Sequence, residues 1–423
     1  MLGGFNPLHK DATIIGGGIA GLLAAYRLGS CGYEVELHEK GPWLGGMLGT
    51  TAYPYGIVER AAHSIRASHA VLTLCNELDV ELLPLKNGRT GYIFRNGEFH
   101  RFPLGFMETL DMLGRMLLKP MRTEQKTLAQ YGHEHMGQAA VDYLLTPMAF
   151  GIYGARPSEL QLPNAFPRFQ GDAGRNLLSH QIQRLMRRRG KAPMVAPRNG
   201  MSEIVQKLEL ALRSMPNVAL HVGSPVETLT PANNLILAVP AYEAARLISS
   251  EDAATAQLLE QVTYVPLVTA TVFIDHQALG RFPGGIGVLI PEKENIPILG
   301  ILFNSHSFEG RVSDGGLESF TVIFGGTPHP ELVEKDDAAL EAHIAECLDR
   351  IFRLKSTPLK THIQRWPRAI PLYNTHLALA QQRVREGWGA LLGNMVVGNY
   401  TGQVSLRGLI EDSLKLSDYG KES

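Results

Sequence analysis

The sequence predicts an α/β protein of two domains. One is built on an N-terminal βαβ unit and assembled from separated segments; the other combines a mixed β-sheet with a helical lobe. Three observations predict this. Residues 12–15 are a short apolar run that meets Gly16, Gly17 and Gly18 at once. An apolar helix then runs from Ile19 to Leu28, and Tyr33 to Glu39 alternates apolar and polar as a strand does. Strand, glycine turn, helix and strand thus fall within about thirty residues, the size of a βαβ unit. Further period-two stretches recur far downstream, with no repeat, low-complexity tract or linker between them. The domains are therefore expected to interleave. A chain of 423 residues exceeds one ordinary domain, which agrees.

Taken in order, Gly91 to Pro103 carries an Asn96-Gly97 turn between two aromatic-rich strands, a hairpin signal. From Leu104 to about Leu145 the pattern turns helical and rich in Met and Leu. Leu160 to Gly174 is irregular, and Asn176 to Arg189 and Met201 to Ser214 read as helices. Val218 to Val222, Asn234 to Val239, Leu267 to Asp275, Gly287 to Ile290, Ile298 to Asn304 and Ser319 to Phe324 read as strands, and Asp337 to Phe352 as a long helix.

The glycines carry the chemistry. Gly16, Gly18 and Gly21 satisfy G-x-G-x-x-G between a strand and a helix. The first permits the tight turn, the second lets backbone approach a pyrophosphate, and the third lets helix and strand pack closely. Ile19 and Ala20 then open a helix whose unpaired N–H groups and dipole favour phosphate. Glu39 ends the second strand 23 residues after Gly16, where a carboxylate accepts hydrogen bonds from ribose hydroxyls, and Lys40 follows it. This is a Rossmann-like dinucleotide site. A second glycine-rich turn, with Gly45, Gly46 and Met47, would close backbone amides over the phosphates, as FAD binders do. No second complete fingerprint is present, so a separate NAD(P) domain is not indicated.

With 40 basic and 41 acidic residues, the chain has no overall footprint for nucleic acid. Cys31, Cys75 and Cys347 are odd in number and widely spaced, which argues against disulfides and zinc and for a reducing compartment. No signal peptide is read at the N-terminus, and no run reaches the ~18 apolar residues of a spanning helix. His133 and His135 point to different sides of a helix, so no metal site is assigned. Arg184 to Lys191 holds five basic side chains at a helix end, read as solvated.

The chain resembles the flavin amine-oxidase superfamily and, within it, the protoporphyrinogen oxidase family. The opening IIGGGIAGLLAAYRL, YEVELHEK and GGMLGT belong to the superfamily. GIVERAAHS (56–64) is similar to the stretch that runs over the flavin. PMAFGIYGARPSELQLPNAFPRF (147–169), GIGVLIP (285–291), LGILFNSHSFEGR (299–311), FTVIFGG (320–326), RWPRAIPLY (365–373) and GNMVVGNYTGQVSL (393–406) follow in the family's order. The resemblance implies non-covalent FAD and oxidation of protoporphyrinogen IX, or coproporphyrinogen, by hydride transfer to flavin. No catalytic side chain is assigned, since the flavin is the hydride acceptor. Gly393, Asn394 and Val404 are assigned to the C-terminal flavin segment, Val226 to the adenine and Trp366 to the flavin. Leu289, Leu299, Leu302, Ile323 and Tyr373 are assigned to the tetrapyrrole cavity. Many members carry an arginine near the start of the hairpin; here Gly91 stands there, and Arg89 is taken as the substrate contact instead. Gly154-Ala155-Arg156 likewise replaces the usual Ala-Gly-Asp.

The expected domains are residues 1–85, 194–245 and 385–423 for FAD, 86–103 and 246–384 for the substrate sheet, and 104–193 for the helical lobe. LGFMETLDMLGRMLL (104–118) is weighed both as an entrance-lining helix and as a peripheral membrane contact on the inner face, and a homodimer is left open. The expected location is cytoplasmic. Two alternatives stand beside the main reading: an amine oxidase or carotenoid-desaturase-like enzyme on the same scaffold, and a non-catalytic flavin or tetrapyrrole carrier.

Overall fold

The computed structural model describes residues 1–86, 90–119, 126–167, 176–179 and 192–418. Arg89, most of the helix expected over 176–189, and the basic run 184–191 lie outside the described residues.

The first layer is a six-stranded sheet in the spatial order Leu2–Gly3, Asn394–Val396, Leu235–Leu237, Asp11–Ile15, Glu34–Glu39, Val218–Val222. All neighbours are parallel except Leu2–Gly3, which pairs antiparallel with Asn394–Val396. The sheet gathers strands from three distant stretches of chain. The helix Ile19–Ser30 packs on one face with Ser202–Ser214 and Leu406–Asp418, around Ile14, Leu22, Leu37, Leu208 and Ile410. Arg27 is buried within that helix, where its guanidinium meets Glu77 at 2.9 Å.

The second layer is a seven-stranded sheet in the order Lys360–Pro371, Tyr264–Asp275, Leu317–Gly325, Ile298–Phe303, Gly287–Leu289, Gly91–Arg95, Glu98–His100. Every pair is antiparallel except Gly287–Leu289 with Gly91–Arg95, so the sheet is mixed, as expected. Period-two alternation sends Val268, Ala270, Val272, Phe320, Val322 and Phe324 to one face, against the helix Asp337–Phe352. The opposite face carries Thr269, Thr271, Thr321 and Ile323; the three threonines are buried, and the segment around Arg60 and His63 lies against them.

The hairpin turns at Asn96 and Gly97, both with positive φ (52° and 77°), the backbone a two-residue turn of matching twist requires. The helical region is broken into Phe106–Leu118, Leu128–His135, a three-residue helix Gln138–Ala140, a π-turn over Val141–Leu145, and Thr146–Tyr153. Several elements were not expected, among them a three-stranded sheet of Ile65–Arg66, Met194–Pro197 and Leu82–Pro84 and the helices Ala241–Ile248, Ala253–Glu260 and Thr375–Glu386. Lys360–Pro371 is a long edge strand, and Thr50–Tyr53 pairs with Gly56–Glu59 as a small hairpin beside the second glycine turn.

Candidate cofactor and active site

A cleft of about 550 Å³ opens where the parallel strands end, at the switch point of the six-stranded sheet. Its floor is the first glycine turn. Gly16 has φ +108°, and a methyl there would strike Ala238 carbonyl oxygen at 2.5 Å. Gly21 lies under Gly16: a methyl would fall 1.9 Å from Gly16 oxygen, so this glycine serves packing and does not line the cleft. Gly18 differs from both. Nothing lies within 4 Å of the position its Cβ would take, and it caps the Ile19–Ser30 helix facing the cleft. The second glycine turn meets the first: Gly45 N–H donates to Gly17 oxygen at 2.8 Å, and Gly45 and Gly46 both have positive φ. An open space between glycine turns at a helix N-terminus suits a pyrophosphate.

Ile19, Ala20, Met47, Val226 and Val404 also line the cleft. The two Glu39 oxygens accept the Gly17 and Gly41 N–H groups, each at 2.7 Å. The carboxylate thereby fixes the floor while its edge still faces the cleft. Lys40 is 66 % exposed and pairs with Glu243 at 2.6 Å. Burial of Glu243 opposes its ionisation, yet hydrogen bonds from Lys40 and Arg246 hold its carboxyl below the usual range. Arg246 also donates to Val226 oxygen at 2.9 Å and so sets the loop that carries this candidate adenine contact.

Other assignments need correction. Gly393 and Asn394 stand at the wrong end of their strand. The chain runs from Asn394 to Val396 toward the cleft, so the residues that reach it are Gly398, Asn399 and Tyr400. Gly393 instead donates to Gly4 oxygen, and its missing Cβ leaves room for Asn233 oxygen. The segment was identified, but its first glycine was taken for its second. Trp366 also stands off the cleft: its Nε1–H donates to Arg60 oxygen at 3.2 Å, and Arg368 and Ala369 line the cavity in its stead. Tyr373 is fully buried, and its hydroxyl donates to Asn399 oxygen at 2.6 Å, bracing the wall from behind. The helix that follows Val404 starts at Leu406.

Leu299 and Ile323, assigned to the substrate cavity, join Phe150, Leu267, Ala369, Ile370, Trp366 and Met47 in one apolar cluster. Met47 and Ala369 belong to both this cluster and the cleft, so the cluster is continuous with the cofactor wall. Leu289 packs over Gly151 and Gly300, where added methyls would meet its Cδ2 at 3.0 Å. Leu302 lines a separate cavity of about 80 Å³ with Ile57, His63, Asn304 and Arg311.

The segment between the two cavities is held firmly. Buried Glu59 accepts from Thr50 Oγ1 at 2.6 Å and from the Met201 N–H at 2.9 Å, and burial raises its pKa above the ordinary value. Ala61 lines the cleft; His63, two residues on, lines the second cavity with its Nε2 closed to solvent. Burial first, and the nearby Arg311 cation second, lower the His63 pKa to about 4. Ser224, Tyr264 and Arg368 also line the cleft and were not assigned from the sequence; Ser224 is on a loop, Tyr264 opens an interior strand, and Arg368 lies within RWPRAIPLY, where Trp366 was chosen instead.

The family described as flavin containing amine oxidoreductase matches residues 19–415. The chain is 23 % identical over 480 residues to protoporphyrinogen oxidase 2 of Arabidopsis thaliana, covering 97 % of this chain and 93 % of the relative. A crystal structure from Exiguobacterium sp. 255-15, provisionally named protoporphyrinogen oxidase, superposes with TM-score 0.81 at 22 % identity over 99 % of this chain and all of that one. Cyclohexylamine oxidase of Brevibacterium oxydans superposes with TM-score 0.69 at 17 % identity, covering 97 % and 99 %. With a family match over nearly the whole chain and a dinucleotide cleft built as its glycines require, the protein is a flavin-dependent oxidoreductase and belongs to the flavin-containing amine oxidoreductase family.

Proposed function

We propose that the protein oxidises a porphyrinogen, protoporphyrinogen IX or coproporphyrinogen, to the porphyrin with non-covalently held FAD, in tetrapyrrole biosynthesis. The observation that carries this reading is the apolar cluster of Leu299, Ile323, Leu267, Phe150 and Ala369, which meets the cofactor wall at Met47. A cleft wall of Met47 and Ala369 backed by that buried cluster suits a broad, flat, largely apolar macrocycle better than a small cationic amine, which gains from carboxylates or an aromatic cage. The full-length likeness to plant protoporphyrinogen oxidase supports the same choice.

Gly18 and Gly46 would admit the pyrophosphate, Glu39 would take ribose hydroxyls, and Val226 and Arg246 would bound the adenine end. Bound FAD supplies the hydride acceptor. The chain's own residues orient the macrocycle and exclude water, and product aromaticity provides driving force, so a strong base is not required. Cys31, Cys75 and Cys347 stand away from the cleft, and burial pushes the Cys75 and Cys347 thiols up to about 11, so no thiolate is offered to the flavin. Arg156 and Gly91, where the chain departs from the family pattern, have structural explanations. Arg156 donates from Nε and Nη2 to Glu292 Oε1 (3.0 and 2.8 Å), and Gly91 pairs with Gly287 across parallel strands.

The same reading includes a peripheral membrane contact. Phe106, Leu110, Leu113 and Leu117 recur at helical spacing and are exposed on one face of Phe106–Leu118. No helix among the described residues is long and apolar enough to cross a membrane.

The test is a substrate panel. Purified protein should convert protoporphyrinogen IX or coproporphyrinogen to fluorescent porphyrin and leave primary amines untouched. Turnover of an amine with no porphyrin formed would assign it to the amine-oxidising branch. Flavin bound with no turnover of any substrate would leave a carrier.

A further inference from the structure

On the strand Glu34–Glu39, Val35 and Leu37 point into the core, so Glu36 and His38 share the opposite face. His221 is the registered partner of His38 on the adjacent parallel strand, and the two rings stack at 4.6 Å with 16° between their planes. Glu36 Oε2 lies 3.8 Å from His38 Nε2. One donor atom from each of the three side chains lies within 4.8 Å of the other two. Around a tetrahedral ion with nitrogen and oxygen bonds near 2 Å, donors stand ~3.3 Å apart. The remaining closure, roughly 1 to 1.5 Å, is a rotation of Glu36 and His221, both exposed.

We propose that Glu36, His38 and His221 form a binding site for one divalent transition-metal ion of the zinc class at the exposed edge of the six-stranded sheet, where Val218–Val222 is the last strand. Several features support it. His38, the least exposed of the three, presents Nε2 to Glu36 while its Nδ1 lies 3.5 Å from Ser224 Oγ, the outer contact that sets a ligand imidazole's orientation. The adjoining groove is lined by Asp11, Glu34 and Glu36, with no lysine or arginine among its lining residues. Two imidazoles and a carboxylate leave a fourth position for water. The ordinary alternative is a pair of stacked surface histidines, which accounts for the rings but not for the carboxylate and acidic groove beside them.

A bound ion would tie Val218–Val222 to Glu34–Glu39 directly before Ser224 and Glu39, which line the cofactor cleft. Sequence spacing could not show the site, because His221 comes from a strand paired only by the fold.

The test uses the full-length flavin-loaded protein without an affinity tag, dialysed against zinc alone at neutral pH. One ion per chain is expected in the wild type. His221→Ala and Glu36→Ala should each weaken binding by more than the ~10- to 100-fold that loss of an outer contact costs. Cobalt in place of zinc should give tetrahedral absorption to the red of the flavin bands, lost in His221→Ala. Unchanged flavin spectra and metal-free melting curves would establish that the variants fold. No bound zinc in the wild type, or equal binding in wild type and His221→Ala, would overturn the proposal.

Discussion

Gly18 and Gly21 sit three residues apart in one motif, yet a methyl added to each would meet different surroundings. At Gly18 it would enter open space beside the helix N-terminus; at Gly21 it would strike Gly16 oxygen. Gly18→Ala should therefore melt like the wild type in the flavin-free state but bind flavin about 10- to 100-fold more weakly, the loss of one or two phosphate hydrogen bonds. Gly21→Ala should lose on the order of 3 kcal/mol of stability through overpacking. Flavin titration and thermal melting separate the two. Glu39→Ala would leave the Gly17 and Gly41 N–H groups without their acceptor. Its flavin should dissociate more readily, by at least roughly tenfold, as flavin fluorescence would report. His63 sets a pH dependence. The unfolded ring takes up a proton below about 6.5, but the folded one only near 4. Stability is therefore lost as pH falls from 6.5 toward 4, by up to roughly 3 kcal/mol. His63→Gln should flatten that part of the profile. These residues differ in legibility. Gly18 and Glu39 were readable because phosphate and ribose recognition impose spacing, whereas His63 and Arg246 owe their roles to partners far along the chain.

At the scale of the element, hydrophobic periodicity located several helices and strands, but the half-buried helices Ala241–Ile248, Ala253–Glu260 and Thr375–Glu386 were not expected. Asp337–Phe352 and Val218–Val222 match their expected limits, and Met201–Ser214 differs by one residue. Lys360–Pro371 escaped notice for a physical reason. It is an edge strand, half-exposed along most of its length, and Pro367 sits where its register with Tyr264–Asp275 shifts between Trp366 and Ile370. Its polar residues and proline read as loop. The hairpin at Asn96-Gly97 was legible because positive φ at both turn positions demands those residue types. Gly97→Val should cost about 1 to 2 kcal/mol in a denaturant midpoint experiment, since a branched side chain opposes that backbone. The Phe106–Leu118 helix should carry the protein onto lipid vesicles in a flotation assay. Phe106→Ser with Leu117→Ser should reduce that binding by roughly tenfold or more. Flotation equal to the wild type would remove the helix from the membrane contact.

Across the whole molecule, the six-stranded sheet draws neighbouring strands from three distant stretches of chain, around residues 2–39, 218–237 and 394–396. At one edge of this sheet Leu2–Gly3 pairs antiparallel with Met395 and Val396. The flavin cleft meets the second sheet where Met47 and Ala369 join cofactor wall to buried apolar cluster. The central claim is hydride transfer from a porphyrinogen across that junction. Its most direct measurement is anaerobic mixing of the flavin-loaded protein with freshly reduced protoporphyrinogen IX, following the flavin's visible absorbance. The account predicts bleaching faster than a buffer control, with porphyrin fluorescence rising in step. Flavin that stays oxidised with protoporphyrinogen IX and with coproporphyrinogen, while an amine bleaches it, would contradict the account.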